Sequence, residues 1–515
     1  MAAADHMAAG AGVEMLRRGG SAADAAVAAG AVIAVTCQHM NGLGGDLLAV
    51  VVGPGGPPAA LVASGRAGSG ADPDRLRARG MTSMPARGDI ASVPVPGCVD
   101  GWVALHGRFG RLPLAEVLAP AARYAAEGFA ASPTLAVSAA TVADLPGADD
   151  FARPLLPGSA VRRPGVARCL EAVMAEGRDG FYGGEFGEGL LRLGAGEYEP
   201  GDLERSQASW SEPVAATATG LTLLTTPPPT QGYLTLAAAW IADQLGDLPE
   251  PDDPLWAHLL VEAMRQAGHD RLAVLHEGAD GAALVSPRRL APRAASVSGD
   301  RAATLPASFS AGGTIALVAV DSDRMGVSLL QSNAAGFGAG IVEPSTGVFL
   351  HNRGTGFSLE PGHPAEYGPG RRPPHTLSPL ALTHPDGGAL AGVLATMGGD
   401  SQPMILLQLL ARMRSAGEDP ATAVAAGRWR LTGRADDPVL SGFAAWRQQG
   451  RVTVEIEGHA PDAWDAGLDG RGHTVRRVGA WSHGFGHAQA VMVAGDGHLE
   501  AAADPRPGHG LAAGW

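Results

Sequence analysis

The segment GGTIALVAVDSDRMGVSLLQSN, residues 312–333, decides the fold of this protein. Apolar residues alternate along both of its halves, and the polar turn Asp321–Asp323 separates them. This pattern is typical of two short β-strands joined in a hairpin. The first strand begins abruptly on Thr314, directly behind two glycines. A hydroxyl at the first position of a strand is the feature that the remaining sequence has to explain.

Length and composition restrict the class of protein. The chain has 515 residues, more than a typical domain of about 100–200, which predicts two or more units or one large layered domain. Its formal net charge is −14 and no basic run occurs, so nucleic acid is not an expected partner. All 38 basic residues are arginine, which excludes chemistry that needs a Schiff-base, Walker-A or Ser–Lys lysine.

The cysteines and the N-terminal segment bear on location. Cys37, Cys98 and Cys169 form an odd set without metal-type spacing, which fits packing roles in a reducing compartment. The first residues contain no basic segment followed by an apolar run, so no signal peptide is predicted. No apolar run reaches the roughly 18 residues of a membrane span. We therefore expect a soluble, cytoplasmic protein with no membrane partner.

Patterning along the chain predicts mixed strands and helices without strict βαβ alternation, which favours a layered α+β architecture. Two helices are expected within 6–36, the second capped by Ser21 with Asp24 three residues later. The other predicted elements are helices within 113–142, 232–270 and 403–415, an apolar strand after a Gly-rich turn within 41–53, strands near 220–226, 314–320, 326–331 and 347–351, and short strands within 450–498. The Pro/Gly-rich segment 287–313 is the predicted exposed, cleavable connection.

Several polar motifs carry weak signals by themselves. The turn NGLGGD, residues 41–46, lacks the spacing of nucleotide fingerprints. His483 and His487 have the spacing of helical zinc ligands, but the glycines between them disfavour a helix. Cys37 and His39 are too close along the chain for a good catalytic dyad, so core packing is the favoured role of Cys37.

Five further segments change the interpretation of Thr314: GVEMLRRGGSAADAAVAAGAVIAVT (12–36), GLGGD (42–46), VPVPGCVDGW (93–102), RRPPHTLSPL (371–380) and TMGGDSQP (396–403). Through these segments the chain resembles the γ-glutamyltransferase family of N-terminal-nucleophile hydrolases over nearly its whole length. The segments LLQSNAAGFGAGIV and HNRGTGFSL are similar to those of its amidohydrolase and acylase branch. The resemblance implies an αββα four-layer sandwich and catalysis without metal or organic cofactor.

The resemblance also implies how the threonine acts. The precursor would cut itself between Gly313 and Thr314, giving a large chain 1–313 and a small chain 314–515 that form one intertwined domain. The Thr314 hydroxyl attacks the preceding carbonyl, and the freed α-amino group, with a pKa near ~7.7–8.0, then serves as the general base. The strand begins abruptly because a new chain begins there.

Further roles are implied where single residues match the family. Gly398 and Gly399 correspond to the glycines whose backbone N–H groups bind the oxyanion. Arg66 corresponds to the arginine that grips a substrate carboxylate, for which a planar guanidinium is suited. Asn333 corresponds to a pocket asparagine, and Thr376 replaces a serine that helps to hold the carboxylate.

The departures from the family concern substrate choice. Gly356 stands where γ-glutamyl enzymes have an acid that binds the substrate's α-ammonium, and His375 replaces the neighbour of the serine that Thr376 replaces. Arg353 stands in place of an uncharged or acidic residue, and it either faces the substrate or forms a surface ion pair. A pocket with Arg66, Arg353 and His375 but without an acid favours a carboxylate over an ammonium, unless Asp400 reaches in.

The sequence therefore predicts a self-processing amidohydrolase that cleaves the amide of a small, carboxylate-bearing acyl donor, such as an oxamate-like or glutaryl-like compound, through an acyl-threonine intermediate. Two alternatives stay open: an authentic γ-glutamyltransferase or glutathione hydrolase, and an unprocessed member that only binds ligands. The expected partners are the small-molecule amide and the two chains of a heterodimer, with a dimer of heterodimers as a further alternative.

Overall fold

The computed structural model describes residues 1–305, 314–386, 388–433 and 452–515. The strands in chain order are β1 (Ala2–Ala3), β2 (Asp46–Val52), β3 (Ala59–Ala63), β4 (Phe129–Ala130), β5 (Ala160–Val161), β6 (Ser209–Ser211), β7 (Val214–Ala218), β8 (Leu221–Thr225), β9 (Ile315–Val320), β10 (Gly326–Ser332), β11 (Val342–Glu343), β12 (Val348–Phe349), β13 (Leu380–Thr383), β14 (Leu390–Thr396), β15 (Trp429–Thr432), β16 (Thr453–Ile456), β17 (Thr474–Arg477), β18 (Ala488–Val493), β19 (Leu499–Ala503) and β20 (Leu511–Ala512).

The helices in chain order are α1 (His6–Arg17), α2 (Ala22–Thr36), α3 (Pro73–Ala78), α4 (Cys98–Phe109), α5 (Leu114–Glu127), α6 (Pro133–Ala139), α7 (Pro164–Glu176), α8 (Arg178–Tyr182), α9 (Glu185–Leu193), α10 (Pro200–Glu204), α11 (Tyr233–Asp243), α12 (Pro254–Gly268), α13 (Arg271–Val274), α14 (Gly281–Leu284), α15 (Pro287–Ala294), α16 (Gln402–Leu410), α17 (Pro420–Ala425) and α18 (Ala463–Asp469). None of the helices in the described ranges has both the length and the hydropathy that crossing a membrane requires.

Two antiparallel sheets form the centre of the molecule. The first has the strand order β20-β1-β9-β10-β2-β3-β6, and the second has the order β19-β18-β14-β13-β8-β7. The sheets lie face to face, and the Ser328 hydroxyl of β10 donates to the Leu394 carbonyl of β14 at 2.7 Å. Both sheets contain strands from before and from after residue 314, so the two parts of the chain are intertwined.

Alternation along β9 explains the layers. Ile315 and Leu317 pack with buried residues of α1, α2, α4 and α5 on the outer face of the first sheet. Ala316 and Val318 point the other way and pack between the sheets. The outer face of the second sheet packs against α11, α12 and α16. The order helix–sheet–sheet–helix is the predicted αββα sandwich, and its layers follow from the period of two in a strand.

The predicted hairpin is present as β9 and β10. In its turn, the Asp321 carboxylate accepts the N–H groups of Asp323 and Met325, both at 3.0 Å. The other carboxylate oxygen accepts the Ala22 N–H at the start of α2 at 2.9 Å, which ties the hairpin to the helix that covers it. The predicted capping box of Ser21 with the third helical residue is confirmed.

Two predicted segments differ from the structure. The helix expected within 113–142 is interrupted after α5, because Gly128 adopts a φ of 107° and the chain forms β4 before α6 begins. The connection expected over 287–313 begins instead as helix α15, with proline at its first position, where no N–H is needed. The end of that segment, with Gly313 and the predicted cleavage site, lies outside the described residues.

Candidate active site

Three polar side chains lie in a row at one end of the first sheet. Thr314 directly precedes β9, Ser332 ends β10, and Asp46 begins β2, where it pairs with Ser332 across the strands. The Thr314 and Ser332 hydroxyl oxygens are 3.2 Å apart. Side chains alternate between the two faces of a strand, so these three point between the sheets, like Ala316 and Leu330.

The predicted oxyanion glycines belong to the same end of the sandwich. Gly326 at the start of β10 lies close to Leu390 at the start of β14. Further along both strands, the Ser328 hydroxyl of β10 donates to the Leu394 carbonyl of β14. Strands β10 and β14 thus run in the same direction, and Gly398, just past β14, lies at the end that holds Ser332.

The backbone at these glycines is unusual. Gly398 and Gly399 have φ values of 137° and 57°, which favour glycine, and they lead into the turn Gly399–Ser401 that precedes α16. Among the described residues, no acceptor is bonded to either of their N–H groups. Two N–H groups of this kind, placed before a helix, can bind a developing negative charge.

Asp46 is the centre of a buried charged cluster that sequence analysis overlooked. Its Oδ2 accepts from the Arg353 Nε at 2.6 Å and lies 3.3 Å from the His351 Nδ1 and 3.0 Å from the His375 Nε2. All four side chains are at most 1% exposed. Burial would raise the pKa of the Asp46 carboxyl, but the charge of Arg353 and the nearby imidazoles hold it well below its ordinary value.

His375 is held as a neutral imidazole in this cluster. Burial, followed by the charge of Arg353, lowers its pKa from 6.5 to about 4. The Leu377 N–H donates to its Nδ1 at 3.2 Å, so the proton of the neutral ring is on Nε2, which faces Asp46. His375 therefore contributes a dipole and no net charge at neutral pH.

A chain of hydrogen bonds joins Asp46 to the oxyanion glycines. Arg353 Nη1 donates to the Thr376 hydroxyl at 3.2 Å. The Gln231 amide donates to the Thr376 carbonyl at 2.9 Å and to the Gly399 carbonyl at 3.0 Å. Gln231 is a second residue that the sequence analysis missed, and its only local signal is the segment TTPPPTQG that ends β8 and precedes α11. The predicted residues Arg353, Thr376 and Gly399 thus belong to one network.

Arg66 lies in a separate ion cluster that is open to solvent. Its Nη1 donates to the Glu277 carboxylate at 2.6 Å and to the Gly370 carbonyl at 2.9 Å, and its side chain is 18% exposed. The Arg372 N–H donates to the same carboxylate at 3.0 Å. Burial, followed by the charge of Arg66, lowers the pKa of Arg372 to about 10, so it stays charged. The Arg372 guanidinium itself donates to the Ser209 hydroxyl and the Gln207 carbonyl, both at 2.8 Å, so among the described residues no carboxylate pairs with it there.

Asn333 is buried beside the hydroxyl row. Its backbone N–H donates to the Met40 carbonyl at 3.0 Å, and its side-chain amide donates to the Gln38 carbonyl at 3.1 Å. These bonds fix the side chain and leave its Oδ1 as a buried acceptor without a partner in the described part of the chain. Such an acceptor can bind an N–H or O–H group of a ligand.

A cavity of about 540 Å³ lies beside the segments that carry Arg353 and His375 of the Asp46 cluster. Thr355 and Gly356, in the same short helical turn as Arg353, line it together with Pro374, which precedes His375. Most of the remaining wall comes from the segment 357–365, and the rest comes from α3, α13 and the residues that follow these helices. Gly356, which the resemblance predicts at the position of an ammonium-binding acid, thus lines this cavity.

Two expectations about charge need correction. The prediction of a pocket without an acid is wrong, because Asp46 contacts both Arg353 and His375. The surface ion pair considered for Arg353 is wrong as well, since this pair is buried. Asp400, considered as a binder of ammonium, is buried and pairs with Arg271 at 3.2 Å.

Comparison with known proteins agrees with this geometry. The model of the family described as Gamma-glutamyltranspeptidase matches residues 8–514. The chain belongs to this family. An oxamate amidohydrolase proenzyme from Klebsiella pneumoniae is 36% identical, over 99% of this chain and 97% of its own. The glutathione hydrolase-like YwrD proenzyme from Bacillus subtilis is 31% identical over the same shares, 99% and 97%.

A solved structure extends the comparison to the fold. The cephalosporin acylase from Bacillus halodurans is 30% identical and superposes with a TM-score of 0.89, covering 100% of this chain and 95% of its own. The predicted α+β class and the N-terminal-nucleophile hydrolase fold are therefore confirmed. The family contains amidohydrolases, acylases and glutathione hydrolases, so the chain is a member of an enzyme family.

The first prediction concerns the buried pair of Asp46 and Arg353. Asp46→Asn leaves a buried guanidinium uncompensated, which typically costs about 3–5 kcal/mol, so we expect a clearly lower midpoint of thermal unfolding. Adding Arg353→Met removes that charge and should restore much of the midpoint without restoring activity. Asp323→Asn, in the exposed pair with Arg111, is the control and should change the midpoint little. A wild-type midpoint for Asp46→Asn would contradict this account.

The second prediction concerns pH. The His375 pKa is about 4 in the folded protein and near 6.5 when unfolded, so the unfolded state binds the proton more tightly. This group therefore destabilises the fold progressively as pH falls from about 6.5 to about 4, by up to about 3 kcal/mol. In thermal unfolding measured across that range, His375→Gln should show a shallower decline than the wild type. His6→Gln, at an exposed histidine, is the control. If the unfolding midpoint falls equally with pH in the wild type, His375→Gln and His6→Gln, the assignment of this pH dependence to His375 is refuted.

Proposed function

We propose that this protein is a self-processing amidohydrolase that cleaves the amide bond of a small, carboxylate-bearing acyl donor through an acyl-threonine intermediate. The observation that carries the proposal is the position of Thr314. Its hydroxyl lies 3.2 Å from that of Ser332, between the two sheets, at the end where Gly398 and Gly399 follow β14. This arrangement brings a nucleophile and two candidate oxyanion donors to one end of the fold.

Processing uses the same groups as catalysis. The Thr314 hydroxyl attacks the carbonyl carbon of residue 313, the peptide C–N bond breaks, and the acyl group passes to the hydroxyl as an ester. The freed nitrogen takes up the hydroxyl proton. Water then hydrolyses the ester, which releases the carboxyl end of the large chain and leaves Thr314 with a free α-amino group. The word proenzyme in the names of the relatives from Klebsiella and Bacillus supports such a step here.

Hydrolysis of the substrate repeats this chemistry on an external amide. The α-amino group of Thr314 takes the hydroxyl proton as oxygen attacks the amide carbon, and Gly398 and Gly399 donate their N–H groups to the oxyanion. Loss of one such donor typically costs about 2.7–4 kcal/mol in the transition state. The proton passes to the leaving nitrogen, the amine departs, and water releases the acid from the threonine ester.

The charge around the site supports a carboxylate on the acyl donor. Arg66 is a partly exposed cation paired with Glu277, and the buried guanidinium of Arg372 bonds, within the described residues, only to neutral oxygens of Ser209 and Gln207. The charge of Asp46 is already compensated by Arg353, so it offers little to a substrate ammonium. The relative named for oxamate supports the same class of donor, an amide with a carboxylate and no α-amino group.

The third prediction tests the nucleophile. Thr314→Ala should give a single uncut chain without amidase activity, because no hydroxyl is present to attack either carbonyl. Thr314→Ser is the matched control and should be cut, with reduced activity. Fragment sizes on a denaturing gel and the N-terminal sequence of the small fragment provide the measurement. If Thr314→Ala is still cut before residue 314, another protease makes the cut and self-processing is wrong.

The fourth prediction tests the acyl donor. A glutaryl amide and the matching γ-glutamyl amide differ only in the α-amino group, so their kcat/KM ratio isolates one contact. We expect the wild type to prefer the glutaryl compound, because Gly356 provides no carboxylate for an ammonium. Gly356→Asp should narrow or reverse this preference, and Gly356→Asn, of similar size but uncharged, should not. A tenfold wild-type preference for the γ-glutamyl compound, about 1.4 kcal/mol, would favour the glutathione hydrolase alternative.

A further inference from the structure

A second group of reactive side chains meets on the opposite side of β9 from Ser332. Strand β1 pairs with β20 so that Ala2 opposes Ala512 and Ala3 opposes Leu511. Continuing this antiparallel register places Asp5 opposite His509. Strand β1 also pairs with β9 and runs toward the start of β9, so Asp5 lies near the end of the sheet that holds Thr314.

Cys37 completes the group from the end of α2. Its Sγ lies 3.6 Å from the Asp5 Oδ2, and the preceding Thr36 hydroxyl donates to the same oxygen at 3.2 Å. One ligand atom from each of Asp5, Cys37 and His509 lies within 4.8 Å of the others. A carboxylate, a thiol and an imidazole thus converge from three distant parts of the chain.

The imidazoles around this group have nitrogens that lack partners. In the part of the chain that the structure describes, the Nδ1 of His509 is buried and accepts or donates no hydrogen bond. The same holds for the Nδ1 atoms of His39, which is 6% exposed, and His487, which is 4% exposed. Buried polar atoms are normally bonded, so the unpartnered His509 nitrogen, in a residue that lies beside a thiol and a carboxylate, points to a ligand that would bind it.

We propose that Asp5, Cys37 and His509 form a binding site for Zn²⁺. Thiolate sulfur, imidazole nitrogen and carboxylate oxygen are the ligands that zinc takes, and three protein ligands leave the fourth tetrahedral position for water. The negative charges of the thiolate and the carboxylate balance the ion, which makes its burial favourable. Binding exchanges the Cys37 thiol proton for the metal, so each bound ion releases one proton to solvent.

The carboxylate is oriented in advance for this role. The Asp5 Oδ1 caps α1 by accepting the Met7 N–H at 2.7 Å, and the Thr36 hydroxyl bonds to Oδ2. These bonds fix the second oxygen toward Cys37, as the hydrogen bonds around metal-bound carboxylates do. The site is separate from the Asp46 cluster, so it can be tested without reference to amide hydrolysis.

The experiment uses the full-length protein after treatment with a chelator. Titration with Zn²⁺ followed by elemental analysis should give one ion per chain, with a higher midpoint of thermal unfolding in the presence of zinc. Replacement with Co²⁺ should produce a near-ultraviolet charge-transfer band, because a thiolate binds the metal. Cys37→Ser should abolish this band, and Cys169→Ser, at another buried thiol, should leave it unchanged.

A second variant protects the test against misfolding. His509→Gln changes a half-buried residue in the C-terminal segment, and it should weaken zinc binding at least tenfold while leaving the protein folded by circular dichroism. Wild-type protein that binds no stoichiometric Zn²⁺ would overturn the proposal. Binding that survives both Cys37→Ser and His509→Gln unchanged would overturn it as well, because the ion would then lie elsewhere.

Discussion

The pairing register of β9, β10 and β2 is the constraint on which the site depends. It sets Thr314 beside Ser332 and Ser332 beside Asp46, and alternation turns all three side chains between the sheets. If the pairing of β9 with β10, or of β10 with β2, shifted by one residue, one of these three side chains would face the helical layer instead. The apolar residues that follow on both faces of β9 oppose such a shift, because each would then face the wrong layer. Core packing therefore holds the reactive row in place.

The buried cluster around Asp46 extends this row into a rigid frame. Removing a carboxylate and a guanidinium from water is costly, and only close pairing with further hydrogen bonds offsets that cost. Here Arg353 contacts both oxygens of Asp46 and the Thr376 hydroxyl, and Gln231 connects Thr376 to Gly399. Hydrogen bonds thus connect this row to Gly399, one of the two predicted oxyanion glycines.

Local sequence patterns were enough to predict much of the architecture. The hairpin and the capping box at Ser21 depend on residues within a few positions of one another, and both were found from the sequence. The four-layer sandwich and the candidate residues came from the family resemblance. The roles of Thr314, Arg66 and the glycines stay predictions, although the structure brings Thr376, Arg353 and Gly399 into one network.

Other features could not be predicted because they depend on contacts between distant segments. Asp46 begins β2 directly after a glycine-rich turn, while its partners come from residues 351–375. Gln231 is an ordinary amide until the fold places two carbonyls beside it. The proposed zinc ligands do not have the close spacing of a metal-binding motif, because the nearest two, Asp5 and Cys37, are 32 residues apart. Asp5 follows β1, Cys37 follows α2, and His509 lies in the C-terminal segment.

The distribution of charge also limits how a substrate is attracted. The chain as a whole carries a formal charge of −14, which disfavours the approach of an anion from a distance. Salt screens that repulsion beyond about 8 Å at physiological ionic strength, so the affinity for a carboxylate depends on groups at the site itself. Arg66, the proposed carboxylate ligand, is partly exposed and pairs with Glu277, whereas Arg353 is compensated and buried. A donor of the proposed class would therefore be selected at short range by Arg66, while Arg353 acts on the shape of the pocket through Thr376.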